Sequence, residues 1–463
     1  MTHETTQGSA PSLAYGDALG MFTDLYELTM LQAYFREGMQ QDAVFTLFVR
    51  RLPARRNFLL ACGLDTVLGQ LEALRFEAED LAYLASLGRF GDDFLDWLAD
   101  FRFTGDVFAM REGTPVFANE PLLEIVAPLP QAQLVETLVM NQIHVQTVLA
   151  SKAARMVIAA EGRPVVDFGA RRMHGLDAAL KGARAFHIAG VAGTSNCLAG
   201  RLHGVPVLGT MAHSYIQAHA DEASAFRAFA RLYPDTVLLV DTYDTLGGIQ
   251  RVIELARELG ADFRVRSIRL DSGDLGALAR EGRAMLDAAG LAQVEIFASG
   301  GLDEYEIHGL LRDGAPIDGF GVGTSMGISS DAPDLDIAYK LAEYAGEGRL
   351  KLSSGKPILP GRKQVFRQER DGVLAGDTIA RFDENLPGRP LLEPVMQGGR
   401  RRPGVSVDLD ALRAHAGEQV ERLPTPIRGV QPAGPGYPVE VSPALQRHQA
   451  SVRASVVAAG SGT

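Results

Sequence analysis

The sequence has little of what marks a special environment. There are two cysteines in 463 residues, Cys62 and Cys197, far apart and in no CxxC pair. A disulfide framework or a cysteine-rich zinc site is therefore not expected, and a reducing cytoplasm is the expected setting. No long uninterrupted apolar run is present, so no membrane-spanning helix is expected. The first residues, "MTHETTQGSAPS", lack the basic start and apolar core of a signal peptide. Positive charge is the scarcer sign: 45 Lys and Arg stand against 57 Asp and Glu, a net charge of −12. Phosphate backbones need a broad basic surface, so a nucleic-acid partner is excluded, whereas a small basic pocket for an anionic metabolite is not. Three reactive signatures are also missing. No strand core carries a Schiff-base lysine, no His-x-His closes a first strand, and no GxGxxG follows it.

What is there is ordinary globular material, 46% hydrophobic and 22% charged, and the length suits two or three packed units. "GMFTDLYELTMLQAYFREG" has helical spacing and ends at Gly38, and "AVFTLFVRRLP" reads as a strand. Short strands are expected through "FRFTGDVFAMREGTPVFANEPLLEIVAP", then a helix or helix pair over "QLVETLVMNQIHVQTVLASKAARMVIAA". From Val165 to Thr324 short apolar runs recur between helical segments: "PVVDFG", "AFHIAG", "VPVLGT", "TVLLVD", "VRSIRLD", "VEIFAS" and "DGFGVGT". Such alternation predicts a parallel sheet covered by helices, and its length favours an α/β barrel. After Gly346 short strands and turns return, with a weakly structured tail after His448.

In such folds the reactive groups come from the loops after the strands. Those loops read "DFGARRMHG", "GVAGTSN", "GTMAHS", "VDTYDTLGG", "RLDSGD", "ASGG" and "GVGTS". A purely structural barrel needs Gly and Asp at turns, but not an arginine pair and a histidine. "ASGG" and "GVGTS" close consecutive strands, where glycines let backbone N–H groups approach a phosphate. Arg171, Arg172 and Arg269 suit phosphate oxygens. Asp271 and Asp274, with Asp241 and Asp244, suit sugar hydroxyls or a Mg²⁺-bound pyrophosphate, and helix capping is the competing role for Asp244 and Asp274. His213 opens a helical segment in "GTMAHSYIQAH", with Ser214 as the expected N-cap.

Eight fragments, "DLYELTM", "DFGARR", "GTSN", "GTMAHS", "LVDTYDTL", "RLDSGDL", "GVGTS" and "LPGRKQVFR", stand in the order found in nicotinate phosphoribosyltransferases. The chain resembles that family from about Thr23 to Arg367. The resemblance implies an irregular, TIM-like α/β barrel over residues 136–346. A second mixed α/β domain would be built from 17–135 plus 347–445, with a disordered tail over 1–16 and a flexible tail over 446–463. It implies that nicotinate and phosphoribosyl pyrophosphate give nicotinate mononucleotide and pyrophosphate for NAD biosynthesis. It further implies Mg²⁺ bound through the pyrophosphate, ATP hydrolysis as a stimulus, and a homodimer with shared active sites.

By the same resemblance, Phe168 and the partner subunit's copy of Tyr26 sandwich the pyridine ring. Arg171 and Arg269 hold ribose and pyrophosphate oxygens, and Asp271 holds the ribose hydroxyls. Ser299, Gly300, Gly323 and Thr324 cradle the 5′-phosphate, and Thr194, Ser195 and Ser214 belong to the substrate site. Ser195 stands where related nicotinamide-specific enzymes carry an aspartate. A serine donates to a carboxylate that an aspartate repels, so nicotinate is the expected substrate. Gly300 stands where the family often has asparagine, leaving only backbone contacts at that position. His213 is the expected phosphohistidine, at the positive end of the helix behind Ser214. A quinolinate or nicotinamide phosphoribosyltransferase, a sugar-phosphate isomerase or lyase, and a non-catalytic nucleotide-binding relative are the competing readings. Lys356 and Lys363 are read either as phosphate ligands or as solvated surface.

Overall fold

Short runs of two to four residues between Val165 and Thr324 build a parallel sheet in the computed structural model, which describes residues 19–352, 358–405 and 408–460. The tail over 1–16 and Lys356 lie outside the described residues. The chain divides into two units, residues 152–333 and residues 1–151 with 334–463.

In the 152–333 unit the strand order is Gly193–Thr194, Val165–Asp167, Gly319–Val322, Glu295–Ala298, Ser267–Leu270, Val237–Leu239. Every pairing is parallel. The sheet is curled, half of a barrel, with Gly193–Thr194 and Val237–Leu239 as its two edges. "VPVLGT" contributes only a bridge from Val207 to Thr194. "AFHIAG", expected as a strand, is the end of the helix Leu176–Ile188. Its apolar residues continue a helical stripe through Ala179, Ala183 and Phe186, all buried, and a short apolar run alone cannot distinguish the two states.

Short polar residues start the helices after the strands. Asp244 accepts from the Gly247 N–H and caps Thr245–Leu259; Asp274 accepts from the Ala277 N–H and caps Leu275–Ala288. These two aspartates are caps, as their competing reading held. The segment behind His213 differs from expectation. It forms two helices, His213–Gln217 with Ala212 at the N-cap and Glu222–Leu232 with Asp221 at the N-cap. Asp221 binds the Ser224 N–H and begins a new helix, so Ser214 lies inside the first rather than capping a long one.

The other unit carries an antiparallel seven-stranded sheet in which Asp42–Val49 lies between Ile337–Tyr344 and Pro121–Pro128. Pairing of Ile337–Tyr344 draws the end of the barrel unit back to 333, short of the expected 346. The other division falls inside the helix Glu136–Ala159, after Ser151 rather than after residue 135. Ser151 and Thr147 bond the backbone of Leu60 and Cys62, whereas Lys152 and Arg155 pair with Glu304. A second sheet runs Arg389–Pro390, Lys363–Arg370, Val373–Arg381, Val439–Val441. Residues 446–460, expected as part of a flexible tail, belong to the helix Pro443–Gly460, and the rest of that tail lies outside the described residues. Leu445 is fully buried, and His448 and Val452 lie against Gly348, which holds the helix down.

Candidate active site

Five of the six strands of the 152–333 unit, all but Val237–Leu239, open at their ends on one cavity of about 670 Å³, within the range of small-ligand sites. Phe168, Arg171, Arg172, Ser195, Arg269, Asp271, Ser299, Gly300, Gly323 and Thr324 all line it. Arg171 and Arg172 follow strand Val165–Asp167 on a short 3-10 turn and are exposed, free to meet a ligand.

Arg269 organises the floor. Its Nε donates to Ser299 Oγ at 2.7 Å, Nη1 to Thr210 Oγ1 at 2.8 Å, and Nη2 to Asp271 Oδ1 at 2.6 Å. Its Cζ lies 5.3 Å from the centre of the Phe168 ring, a cation–π contact. Ser299 donates in turn to Asp271. Burial pushes the Asp271 carboxyl up, but the bonds from Ser299 and Arg269 outweigh it and hold the group below its ordinary value. Asp271 is thus ionised and fixed in place.

Gly300 has φ +93°, and a Cβ there would stand 1.8 Å from the Asp271 carbonyl oxygen. Only glycine lets this turn cross the neighbouring strand end. Thr324 begins the turn after Gly319–Val322, and its hydroxyl accepts from Arg172 Nη1 at 3.1 Å.

Three expected groups stand apart from the lining. The His213 ring is bonded through Nδ1 to Thr242 Oγ1 at 3.1 Å, and its Nε2 is 3.8 Å from Asp271 Oδ2. It reaches the cavity through Asp271. Ser214 is exposed on the same short helix and is not among the lining residues. Thr194, expected against the substrate, is 1% exposed and donates to Asp167 Oδ2 at 2.7 Å. Asp167 went unassigned in the sequence. Its other oxygen accepts from the Gly169 N–H at 2.7 Å, so one buried carboxylate ties the turn carrying Phe168 to the loop carrying Ser195. Burial raises this carboxyl against the pull of both bonds. The only hint was its place as the first residue of "DFGARR".

Tyr26 belongs to the other unit. It stands 49% exposed on the helix Leu25–Glu37, whose buried face is Glu27, Leu28 and Leu31. Ordinary packing within its own helix does not account for it. Lys363 is buried and pairs with Glu124 at 3.0 Å, so it is neither a phosphate ligand nor a solvated surface lysine. Among the described residues no group of three or more His, Cys, Asp or Glu gathers as a metal site, and no helix is long and apolar enough to cross a membrane.

Two family models match this chain: the nicotinate phosphoribosyltransferase (NAPRTase) N-terminal domain over residues 21–144, and the nicotinate phosphoribosyltransferase (NAPRTase) family over residues 164–368. A nicotinate phosphoribosyltransferase of Mycobacterium tuberculosis is 58% identical over 433 residues, 94% of either chain. That of Bacillus subtilis is 41% identical over 387 residues, 81% of this chain and 79% of its own. The crystal structure of human nicotinic acid phosphoribosyltransferase superposes with a TM-score of 0.82 at 28% identity, covering 93% of this chain and 99% of that one.

Proposed function

The chain belongs to the nicotinate phosphoribosyltransferase family, and from that premise we propose how its cavity joins nicotinate to phosphoribosyl pyrophosphate for NAD biosynthesis. The observation that carries the reading is one cavity combining an aromatic face, three arginines and two glycine-bearing strand ends. The pyridine nitrogen attacks the ribose anomeric carbon as the bond to pyrophosphate breaks, yielding nicotinate mononucleotide and pyrophosphate. That nitrogen already holds its lone pair, so no general base is required. Rate comes from alignment and from charge placed where the leaving group develops it.

Phe168 supports the ring. Ser195 donates to the nicotinate carboxylate. Asp271, held ionised by Ser299 and Arg269, accepts from the ribose hydroxyls. Arg171 and Arg172 take pyrophosphate oxygens, and the backbone of Gly300, Gly323 and Thr324, with Ser299, receives the 5′-phosphate. Thr194 and Asp167 position the Ser195 loop. Bound Mg²⁺ supplies neutralisation of the pyrophosphate charge. Asp241, at the neighbouring strand end, has a buried Oδ1 with no hydrogen-bond partner and would be the side chain to hold it.

His213 carries the phosphate that couples ATP hydrolysis to the reaction. The hydrogen bond between its Nδ1 and Thr242 orients the ring with Nε2 on the side of Asp271. The half-barrel sheet is read as part of an irregular TIM-like barrel, and the other unit as the mixed α/β domain. The enzyme is read as a cytoplasmic homodimer in which the exposed Tyr26 closes the partner's pyridine site.

Incubation with phosphoribosyl pyrophosphate, Mg²⁺ and each of nicotinate, nicotinamide and quinolinate, with and without ATP, tests the reading by mass of the mononucleotide. No product from nicotinate under either condition overturns it. His213→Ala is expected to lose stimulation by ATP and to keep ATP-independent turnover; full stimulation of that variant removes the phosphohistidine.

A further inference from the structure

A second cavity, about 540 Å³, is built wholly from residues of the other unit and has no part in the chemistry above. Three arginines line it, Arg367, Arg389 and Arg422, with His415 beside them. Two carboxylates face it as well, and Arg422 answers both, through Nη1 to Glu369 at 3.3 Å and Nη2 to Glu418 at 2.5 Å. Arg389 has no carboxylate partner among the described residues; its Nη2 donates to the neutral Gln419 Oε1 at 2.7 Å.

Arg367 is fully buried. Its Nε and Nη2 meet Asp377, while Nη1 is buried with no hydrogen-bond partner. A buried guanidinium donor left unmet is costly, and an oxyanion offers it acceptors in the fork geometry that arginine favours. Gly388, with φ +113°, packs its backbone against Arg367: a Cβ there would stand 2.7 Å from the Arg367 carbonyl oxygen, so this part of the wall is fixed. The field is positive at its histidine. Burial and then the guanidiniums of Arg111, Arg389, Arg367 and Arg422 push His415 down to about 4.

We propose that this cavity binds a phosphate-bearing anion, with Arg389 and the free Nη1 of Arg367 as its charged donors. Orthophosphate, pyrophosphate and a nucleoside triphosphate share the required chemistry. Equilibrium dialysis of the full chain with each of the three, at constant ionic strength, distinguishes them. Two classes of site are expected for at least one ligand. Arg389→Gln should weaken one class at least tenfold and leave turnover at saturating substrate unchanged. Arg171→Gln should weaken the other. The ligand with the largest Arg389-dependent loss identifies the source.

His415→Gln is the second variant, since Arg367→Gln endangers folding by stranding Asp377. Both variants must melt close to the parent. Titrations of Arg389→Gln and His415→Gln that superimpose on the parent for all three anions overturn the proposal. Loss of all binding in Arg171→Gln does the same, and leaves Nη1 to a water molecule. The readout is binding, so failure here is separate from failure of the catalytic reading.

Discussion

Arg269 and Arg367 hold opposite positions in the molecule. Arg269 is the penultimate residue of a strand, its side chain 13% exposed, with Ser299, Thr210 and Asp271 around it at a cavity. Arg367 sits within the strand Lys363–Arg370, fully buried, with Asp377 opposite it in register and Tyr437 donating to the same carboxylate. Arg269 borders a cavity, whereas loss of Arg367 leaves Asp377 charged in the interior. The same guanidinium–carboxylate pair therefore serves reactivity in one unit and integrity in the other.

Substitution separates the two most widely. Arg269→Gln is expected to lower kcat/KM by about 10²-fold, the scale of misplacing a group at the reacting centre once Asp271 and Ser299 lose their anchor, with thermal stability nearly unchanged. Parallel losses of stability and activity would erase the contrast. Arg367→Met should instead destabilise by about 3–5 kcal/mol, read as the urea midpoint, with turnover per folded molecule retained. Adding Asp377→Leu should recover most of that loss. Failure to recover would mean packing, not the stranded charge, dominates at Arg367.

A smaller effect tests positioning around the Arg269 cavity. Asp167→Asn keeps the shape but weakens the tie to Thr194 and Gly169, so KM for nicotinate should rise about tenfold with kcat changed less, the cost of about one hydrogen bond to a charged group. An equal fall in kcat would make Asp167 a catalytic group.

The smallest contrast is in pH. His415, beside Arg367, is pushed from 6.5 to about 4 in the fold. The unfolded chain then binds the extra proton, and stability falls as pH drops from 6.5 to 4. Asp271, beside Arg269, is held below 3.8. Its contribution is intact above that value and is lost only as pH falls through the folded one. Urea midpoints across acid pH should show His415→Gln flattening the first window and Asp271→Asn altering only the second.

Much of the candidate site was legible because βα turns write their chemistry locally. Gly300, Ser299, Thr324 and Asp271 each follow an apolar run, and the parallel sheet brings those ends together. Thr194 was legible as a loop residue but not as a donor to Asp167, because their contact crosses 27 residues. The helix behind His213 was read as one because its apolar spacing continues past the break at Asp221. Arg367 and Lys363 were visible inside "LPGRKQVFR", yet their burial against Asp377 and Glu124 was not.

The alternation of short apolar strands with helices, the capping aspartates and the residue types offered at each strand end are all local. Periodicity and turn chemistry act within a few residues, so they can be read along the chain. Which of those groups meet follows from packing. Strand order in the sheet departs from chain order, placing Gly319–Val322 beside Val165–Asp167, and the Arg269 hub draws on residues from three separate loops. The second cavity is the stronger case. Its arginines come from a hairpin, a short edge strand and a helix end, and none of them marks a site until packing removes the water around Arg367.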